Sequence, residues 1–362
     1  MSSPVPEWLG VLLYPAGLLY EGTVRGRNAL YRRGTFVPRR AGIPVVSIGN
    51  LTVGGSGKTP FTAYLAARLS ERGRKVAIAS RGYGGMPHDE PLLVGDGKAA
   101  LVTAREAGDE PVLFATSLPD VGVVVCSDRF KAAEMARQRL GAEVVLLDDG
   151  FQHRRLARSC DLLLVDAEEG FGNGRMLPRG PLREPLAEMA RADALVVTGH
   201  PDRLSAGRAR LKEIMARQGV SRPLFSCARR FQGFAALATG ELLPPAALAG
   251  LKAVAFSGIA RPEAFEEDLR SLGINLLDAI RFRDHQPIGH AEMALLRDLS
   301  GRLKPDVLLT TEKDKARMGE VTLPFPAYAL RIQLRPDDER DLLALVEERI
   351  GRRAERAVRG GA

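Results

Sequence analysis

The sequence predicts an α/β protein in which a mainly parallel sheet domain is followed by a smaller α/β domain, the two joined by a pair of extended segments. Three observations predict it. From Val45 to about Thr198, short β-rich runs alternate with amphipathic helical stretches, the pattern of βαβ units. A second alternating series begins near Leu251. Leu224–Phe231 and Ala327–Leu334 read as extended pieces that flank this second series and can pair as a connection.

Taken in order, the chain opens with an apolar stretch, Trp8–Tyr20, broken by Pro15, in which Leu9, Leu12, Leu13, Ala16, Leu19 and Tyr20 recur at helical spacing. Arg25, Arg27, Arg32, Arg33, Arg39 and Arg40 follow it, whereas Glu7 is the only charged side chain upstream. A secretory signal has the opposite polarity, so a cleaved leader is not expected. No apolar run reaches the roughly 18 residues of a membrane-spanning helix. Residues 1–40 are therefore either an interfacial helix with its apolar face in lipid and arginines at anionic headgroups, or a helix packed on the protein core.

The first domain, residues 41–223, carries expected strands at Val45–Ile48, Val76–Ser80, Val121–Cys126, Val144–Leu147, Leu162–Asp166 and Ala194–Val197. Helices are expected at Phe61–Arg72 and Arg129–Leu140, each closed by a glycine, Gly73 or Gly141. Arg81–Pro87 and Gly170–Pro185 are rich in glycine and proline and read as long, functional loops. The smaller domain, 234–323, has strands at Ala253–Phe256, Ile274–Leu277 and Val307–Thr310, with helices at Pro262–Leu272 and His290–Leu303. Residues 224–233 and 324–335 form the two-stranded linker, and 336–362 a terminal helix and basic tail.

Composition narrows the partners. Hydrophobic residues make up 45% and charged residues 27%, which suits a folded globular chain rather than a disordered or polytopic one. The net charge of +8 points to anionic partners without choosing among them. Aromatics at 6% and the lack of a recognisable binding module argue against nucleic acid. Cys126, Cys160 and Cys227 lie far apart inside or beside apolar runs, with no metal-ligand spacing, and are expected to be buried thiols.

The chemistry concentrates after the first strand. Thr52, Val53, Gly54, Gly55, Ser56, Gly57, Lys58 and Thr59 sit between that strand and a helix opening at Pro60, so backbone N–H groups and the positive helix end converge where phosphates bind. This is a P-loop of the NTPase type, although Thr52 stands where the pattern begins with glycine. Lys58 is expected at the β- and γ-phosphates, and the Thr59 hydroxyl on Mg²⁺. Val144–Asp149 is an apolar strand ending in two acids, the usual position of the Mg²⁺-associated carboxylate in such folds.

Other motifs are weak singly. Asp109 in Gly108-Asp-Glu-Pro111 can be a plain helix cap, Arg183 and Glu184 a solvated pair, and His285 a loop histidine. Together and in order they resemble a family. Ser47-Ile-Gly-Asn50, Gly54-Gly-Ser-Gly-Lys-Thr-Pro60, Ser80-Arg-Gly-Tyr-Gly-Gly85, Gly108-Asp-Glu-Pro111, Asp148-Asp-Gly-Phe-Gln-His153, Gly180-Pro-Leu-Arg-Glu-Pro185 and Thr311-Glu-Lys-Asp314 look like the tetraacyldisaccharide 4'-kinase family, across most of the chain.

That resemblance implies ATP- and Mg²⁺-dependent phosphorylation of the 4'-hydroxyl of a tetraacylated glucosamine disaccharide 1-phosphate, in lipid A synthesis. It implies a peripheral protein at the anionic surface of the cytoplasmic face of the bacterial inner membrane. It also implies two α/β/α domains, a two-stranded linker and an active site in the cleft. Carried over by motif, the catalytic carboxylate is Asp109 and its supporting histidine is His285 of the second domain, with Lys58 and Arg183 stabilising charge. Asp148, Asp149 and Glu184, with Thr59, fall around the metal. The competing expectation is a nucleotide switch such as a P-loop GTPase or metallochaperone. Thr311-Glu-Lys-Asp314 fails the guanine-binding pattern because lysine occupies its third place.

Overall fold

In the computed structural model, which describes residues 14–284, 286, 288–318 and 323–359, α1 (Tyr14–Arg32) precedes β1 (Val45–Gly49), α2 (Lys58–Glu71) and β2 (Val76–Ser80). Next come β3 (Leu92–Asp96), α3 (Ala104–Ala107), α4 (Asp109–Ser117), β4 (Gly122–Val125), α5 (Arg129–Leu140), β5 (Val144–Asp148), β6 (Cys160–Asp166), β7 (Ala194–Gly199) and α6 (Pro201–Arg217). The remainder is β8 (Leu224–Ala236), β9 (Leu242–Leu243), β10 (Lys252–Ser257), α7 (Pro262–Ser271), β11 (Asn275–Arg281), α8 (His290–Leu303), β12 (Val307–Thr311), α9 (Glu312–Arg317), β13 (Ala327–Pro336) and α10 (Glu339–Arg359). The described residues divide into two units, one drawn from positions up to 81, 128–229 and from 334 onward, the other from those within 82–127 and 230–333.

In the first unit, β8, β7, β6, β1, β5 and β2 lie side by side in that order, every pair parallel. Parallel strands covered on both faces need near-continuous apolar runs, and β1, β2 and β5 are buried at every position. Val46 of β1 stands opposite Leu146 of β5 on one side and Cys160 of β6 on the other. The segment after Gly49 therefore leaves the carboxyl end of an interior strand, where open α/β sheets place ligands. Close approach is built in there: a Cβ on Gly49 would lie 2.6 Å from Cβ of Phe151 and 2.7 Å from its backbone nitrogen. Phe151 itself belongs to the unit's main core, with Leu51, Leu163, Leu195 and Val24 of α1.

In the second unit, β11, β10, β12 and β13 form a parallel series around a core of Phe234, Phe265, Leu269, Leu309 and Leu330. β3 and β4 pair antiparallel. β8 and β13 are hydrogen-bonded neighbours, and the chain passes from one unit to the other within them, at Arg229/Arg230 and Gln333/Leu334. All three cysteines are buried.

One grouping departs from the domain limits read in the sequence. Residues 82–127, expected within 41–223, pack with 230–333. Two long-range ion pairs tie α4 to α9 within this unit, Asp109 with Arg317 and Glu110 with Lys313. Glycines tighten the same corner: a Cβ on Gly85 would lie 2.5 Å from the backbone nitrogen of Gly108 and 2.6 Å from the carbonyl of Glu106. Backbone atoms cannot swing aside as a side chain can, so Gly85→Ala is expected to destabilise by about 1–3 kcal/mol. Thermal unfolding of the variant checks this, and an unchanged midpoint overturns it.

Candidate functional site

The loop between β1 and α2 is held by neighbouring segments and by contacts among its own residues. Thr198 Oγ1, at the end of β7, donates to the Ser56 carbonyl over 2.8 Å. Asn50 Nδ2 donates to Thr52 Oγ1 over 3.3 Å. The Gly170–Pro185 loop clamps the entry, with Val53 N donating to Pro181 O at 2.8 Å and Arg183 N to Leu51 O at 2.7 Å. Gly57, with φ 72°, caps α2 in the left-handed region. At Gly54 and Gly55 a Cβ would meet nothing within 4 Å, so the glycine run leaves open space over the backbone. Such an opening at a helix N-terminus suits phosphate oxygens.

Charged side chains gather beside it. Lys58 Nζ lies 3.4 Å from the Gly54 carbonyl and 3.8 Å from Asp149 Oδ1. Asp148 ends β5, is buried, and accepts a 3.0 Å bond from Thr62 Oγ1 of α2. Asp149 follows with φ 52°, a left-handed turn uncommon for a side-chain-bearing residue. Its Oδ2 accepts from Arg183 Nη1 at 2.9 Å, while its Oδ1 is buried without a hydrogen-bond partner. Burial opposes ionisation of Asp149, but the charges of Lys58 and Arg183 outweigh it and hold the carboxyl below its usual range. Gln152 completes the cluster, accepting from Arg183 Nη1 at 3.4 Å and donating to the Asn50 carbonyl at 2.7 Å.

Glu184 has a different place from the one expected. It is fully buried, with Oε1 accepting from Arg27 Nη2 of α1 and Oε2 from Arg191 Nη2, each at 2.5 Å. Asn28 Nδ2 adds a 3.3 Å bond. Both carboxylate oxygens are committed to guanidinium groups, so Glu184 braces α1 against the Arg183 segment, whereas the sequence had placed it around the metal. Tyr20 of α1 supports the same segment by donating to the Arg183 carbonyl over 3.1 Å.

The second unit holds the other expected residues. Asp109 lies in the first turn of α4, but Gly108 occupies the cap position. The carboxylate is buried, and its Oδ2 accepts from Arg317 Nε at 3.0 Å and Nη2 at 2.7 Å. Asp109 was expected on the first domain and instead belongs to the unit containing 230–333. His285 falls outside the described residues. Thr311-Glu-Lys-Asp314 forms a helix start, with Thr311 Oγ1 accepting from Asp314 N at 3.2 Å and Asp314 Oδ1 accepting from Gly258 N at 3.0 Å. That use of the motif does not favour a guanine-reading role.

Sequence reasoning missed Thr198, Gln152 and Arg317. Gln152 stood inside a quoted motif, and the other two carried no local signal. His88 Nε2 donates to the Glu106 carbonyl over 2.9 Å. Burial, with the Arg129 charge, pushes His153 down to about 4, so it is neutral at physiological pH.

Comparison with known proteins gives matches over most of the chain. A family model described as LpxK, tetraacyldisaccharide-1-P 4'-kinase, matches residues 9–351. The tetraacyldisaccharide 4'-kinase of Geobacter sulfurreducens is 42% identical over 341 residues, covering 94% of this chain and 93% of the relative. That of Anaeromyxobacter sp. is 43% identical over 332 residues, covering 90% and 87%. A crystal structure of LpxK from Aquifex aeolicus in complex with ATP is similar with a TM-score of 0.76 at 33% identity, covering 94% of this chain and 99% of that one.

Proposed function

The chain belongs to the tetraacyldisaccharide-1-P 4'-kinase family, and on that premise we propose that it transfers the γ-phosphoryl group of ATP to the 4'-hydroxyl of a tetraacylated glucosamine disaccharide 1-phosphate. The observation that carries the reading is the family match over residues 9–351 combined with the Lys58–Asp149–Arg183 cluster beside an open glycine loop. In the reaction the 4'-oxygen bonds to the γ-phosphorus while that phosphorus separates from the β,γ-bridging oxygen. ADP leaves with the electron pair, and the hydroxyl proton passes to Asp109. Lys58 and Arg183 offset the negative charge that redistributes over the phosphoryl oxygens. Backbone N–H groups of the Gly54–Thr59 turn orient the phosphates.

The residues also fit Mg²⁺. Asp149 Oδ1 is a buried carboxylate oxygen without a hydrogen-bond partner, Asp148 precedes it at the end of β5, and Thr59 lies in the first turn of α2; all three offer hard oxygen donors. Thr59, Asp149 and Asp148 would hold the ion, which supplies charge neutralisation at the β- and γ-oxygens when bound.

For the lipid substrate we place the protein peripherally, at the cytoplasmic face of the inner membrane. Among the described residues no helix is long and apolar enough to cross a membrane. α1 supports this reading by packing one face and leaving another open: Gly17, Val24 and Asn28 are buried, while Leu18 and Leu19 are 52% and 74% exposed. Several of its arginines are engaged within the protein, Arg25 with Glu21, Arg27 with Glu184 and Arg32 with Glu188. The apolar face therefore supplies the main attraction to lipid. Leu18→Glu combined with Leu19→Glu is expected to weaken binding to anionic vesicles by on the order of tenfold or more and to raise the KM for lipid but not for ATP. Unchanged vesicle binding overturns the interfacial reading.

The reaction itself is tested by incubating purified protein with labelled ATP, Mg²⁺ and lipid A disaccharide 1-phosphate. A product phosphorylated at the 4'-position is expected. Nucleotide turnover without label transfer, or a preference for GTP, would overturn the assignment.

A further inference from the structure

We infer that Arg317 is a positioning residue for the phosphoryl-transfer reaction: it holds the Asp109 carboxylate in the orientation that receives the acceptor proton. The inference rests on the role proposed above for Asp109. Arg317 lies on α9, directly after the Thr311-Glu-Lys-Asp314 motif, whose recurrence in the family resemblance had no assigned purpose. Its guanidinium is almost fully buried, its side chain 5% exposed against 2% for that of Asp109.

Two anchors fix the guanidinium. Nη1 donates to the Gly258 carbonyl at 2.5 Å and to Asp314 Oδ1 at 3.2 Å. Asp314 is in turn held by Gly258 N and by Thr311 Oγ1, which donates to its Oδ2 at 2.6 Å. The remaining two donors, Nε and Nη2, both fall on Asp109 Oδ2. A fork that is itself immobilised can set one rotamer of the carboxylate, which a mobile or singly bonded cation cannot. Beside it, Lys313 pairs with Glu110, so consecutive turns of α9 grip consecutive residues of α4.

Stability alone is a poor reason for this arrangement. A buried ion pair gives little net stabilisation over apolar packing, because both charges lose their hydration. What such a pair does provide is a fixed geometry and a charged carboxylate in a dry site. A proton acceptor for phosphoryl transfer needs both.

The charged groups on the elements packed against α4 are few enough to make a pH test readable. α9 contributes Glu312, Lys313, Asp314, Lys315 and Arg317, α3 contributes Arg105 and Glu106, β3 contributes Asp96, and β4 contributes none. α4 itself adds Glu110. Arg317 is the group in direct double contact with Asp109.

The test compares Arg317→Lys and Arg317→Gln with the parent enzyme, measuring kcat, the KM for ATP and for lipid, the pH profile of kcat/KM and the melting temperature. Lysine keeps charge and length but loses the fork, and kcat is expected to fall about 10- to 100-fold with the KM for ATP within about twofold. Glutamine removes the charge, and the acid limb of kcat/KM is expected to move to higher pH by about one unit, because the neighbouring cation no longer favours the carboxylate. If Arg317→Lys keeps kcat within about threefold, the inference is overturned whatever happens to Arg317→Gln. The same holds if a folded Arg317→Gln leaves the acid limb in place. If the glutamine variant does not fold, the lysine variant decides. Asp109→Asn is measured in parallel. An inactive Asp109→Asn beside a normal Arg317→Lys removes only the role of Arg317, whereas an active Asp109→Asn removes the Asp109 reading and this inference with it.

Discussion

Lys58→Ala is expected to abolish turnover, with kcat reduced by at least about a thousandfold. Nζ sits over the glycine turn, 3.4 Å from the Gly54 carbonyl, and 3.8 Å from Asp149 Oδ1. In the transferring complex that charge is expected to bridge the β- and γ-phosphates as negative charge shifts toward the leaving oxygen, while Arg183 is held by both Asp149 and Gln152. Removal also leaves Asp149 with one fewer charge favouring its ionised form. Single-turnover transfer from labelled ATP to the lipid acceptor measures the effect. Near-normal transfer would sink the assignment of the loop as the phosphate site.

Asp109→Asn is expected to cost on the order of a hundred- to ten-thousandfold in kcat, nearly as much as Asp109→Ala. Asparagine preserves size and hydrogen-bonding reach but cannot accept a proton at neutral pH. ATP affinity should change little, because Asp109 belongs to α4 and not to the glycine loop. His285→Ala is expected to fall in the same range, through orientation or polarisation of the carboxylate. Since two residues acting as one unit do not lose rate independently, the double variant should be scarcely worse than the poorer single one. Steady-state kinetics on the four proteins separates the cases. Multiplied losses would show that the two act separately, and a vigorous Asp109→Asn would return the search for a base to Asp148 and Asp149.

The parts of the site that could be read in the chain are contiguous. The glycine loop from Thr52 to Thr59, the strand before it and the acids ending Val144–Asp149 each announce themselves within a few residues, through turn chemistry, apolar runs and a helix start. Their neighbours could not be read. Thr198 supports Ser56 from 142 residues away, and Arg317 holds Asp109 from 208 residues away. Glu184 adjoins Arg183 and was expected around the metal, yet its oxygens go to Arg27 and Arg191. Adjacent residues on an extended segment point to opposite sides, and the environment on each side belongs to distant parts of the chain.

By itself, the sequence determined the α/β class, the strand that leads into the glycine loop, the loop itself and the family. Periodicity, backbone permissiveness and motif order are local properties and survive without coordinates. Only the tertiary structure decided that residues 82–127 pack with 230–333, that α1 buries Val24 while exposing Leu18 and Leu19, and that the Thr311–Asp314 turn delivers Arg317 to Asp109. Those outcomes depend on which buried charges find partners and which faces find cover, and a desolvated charge selects its counter-ion by proximity in space, not along the chain.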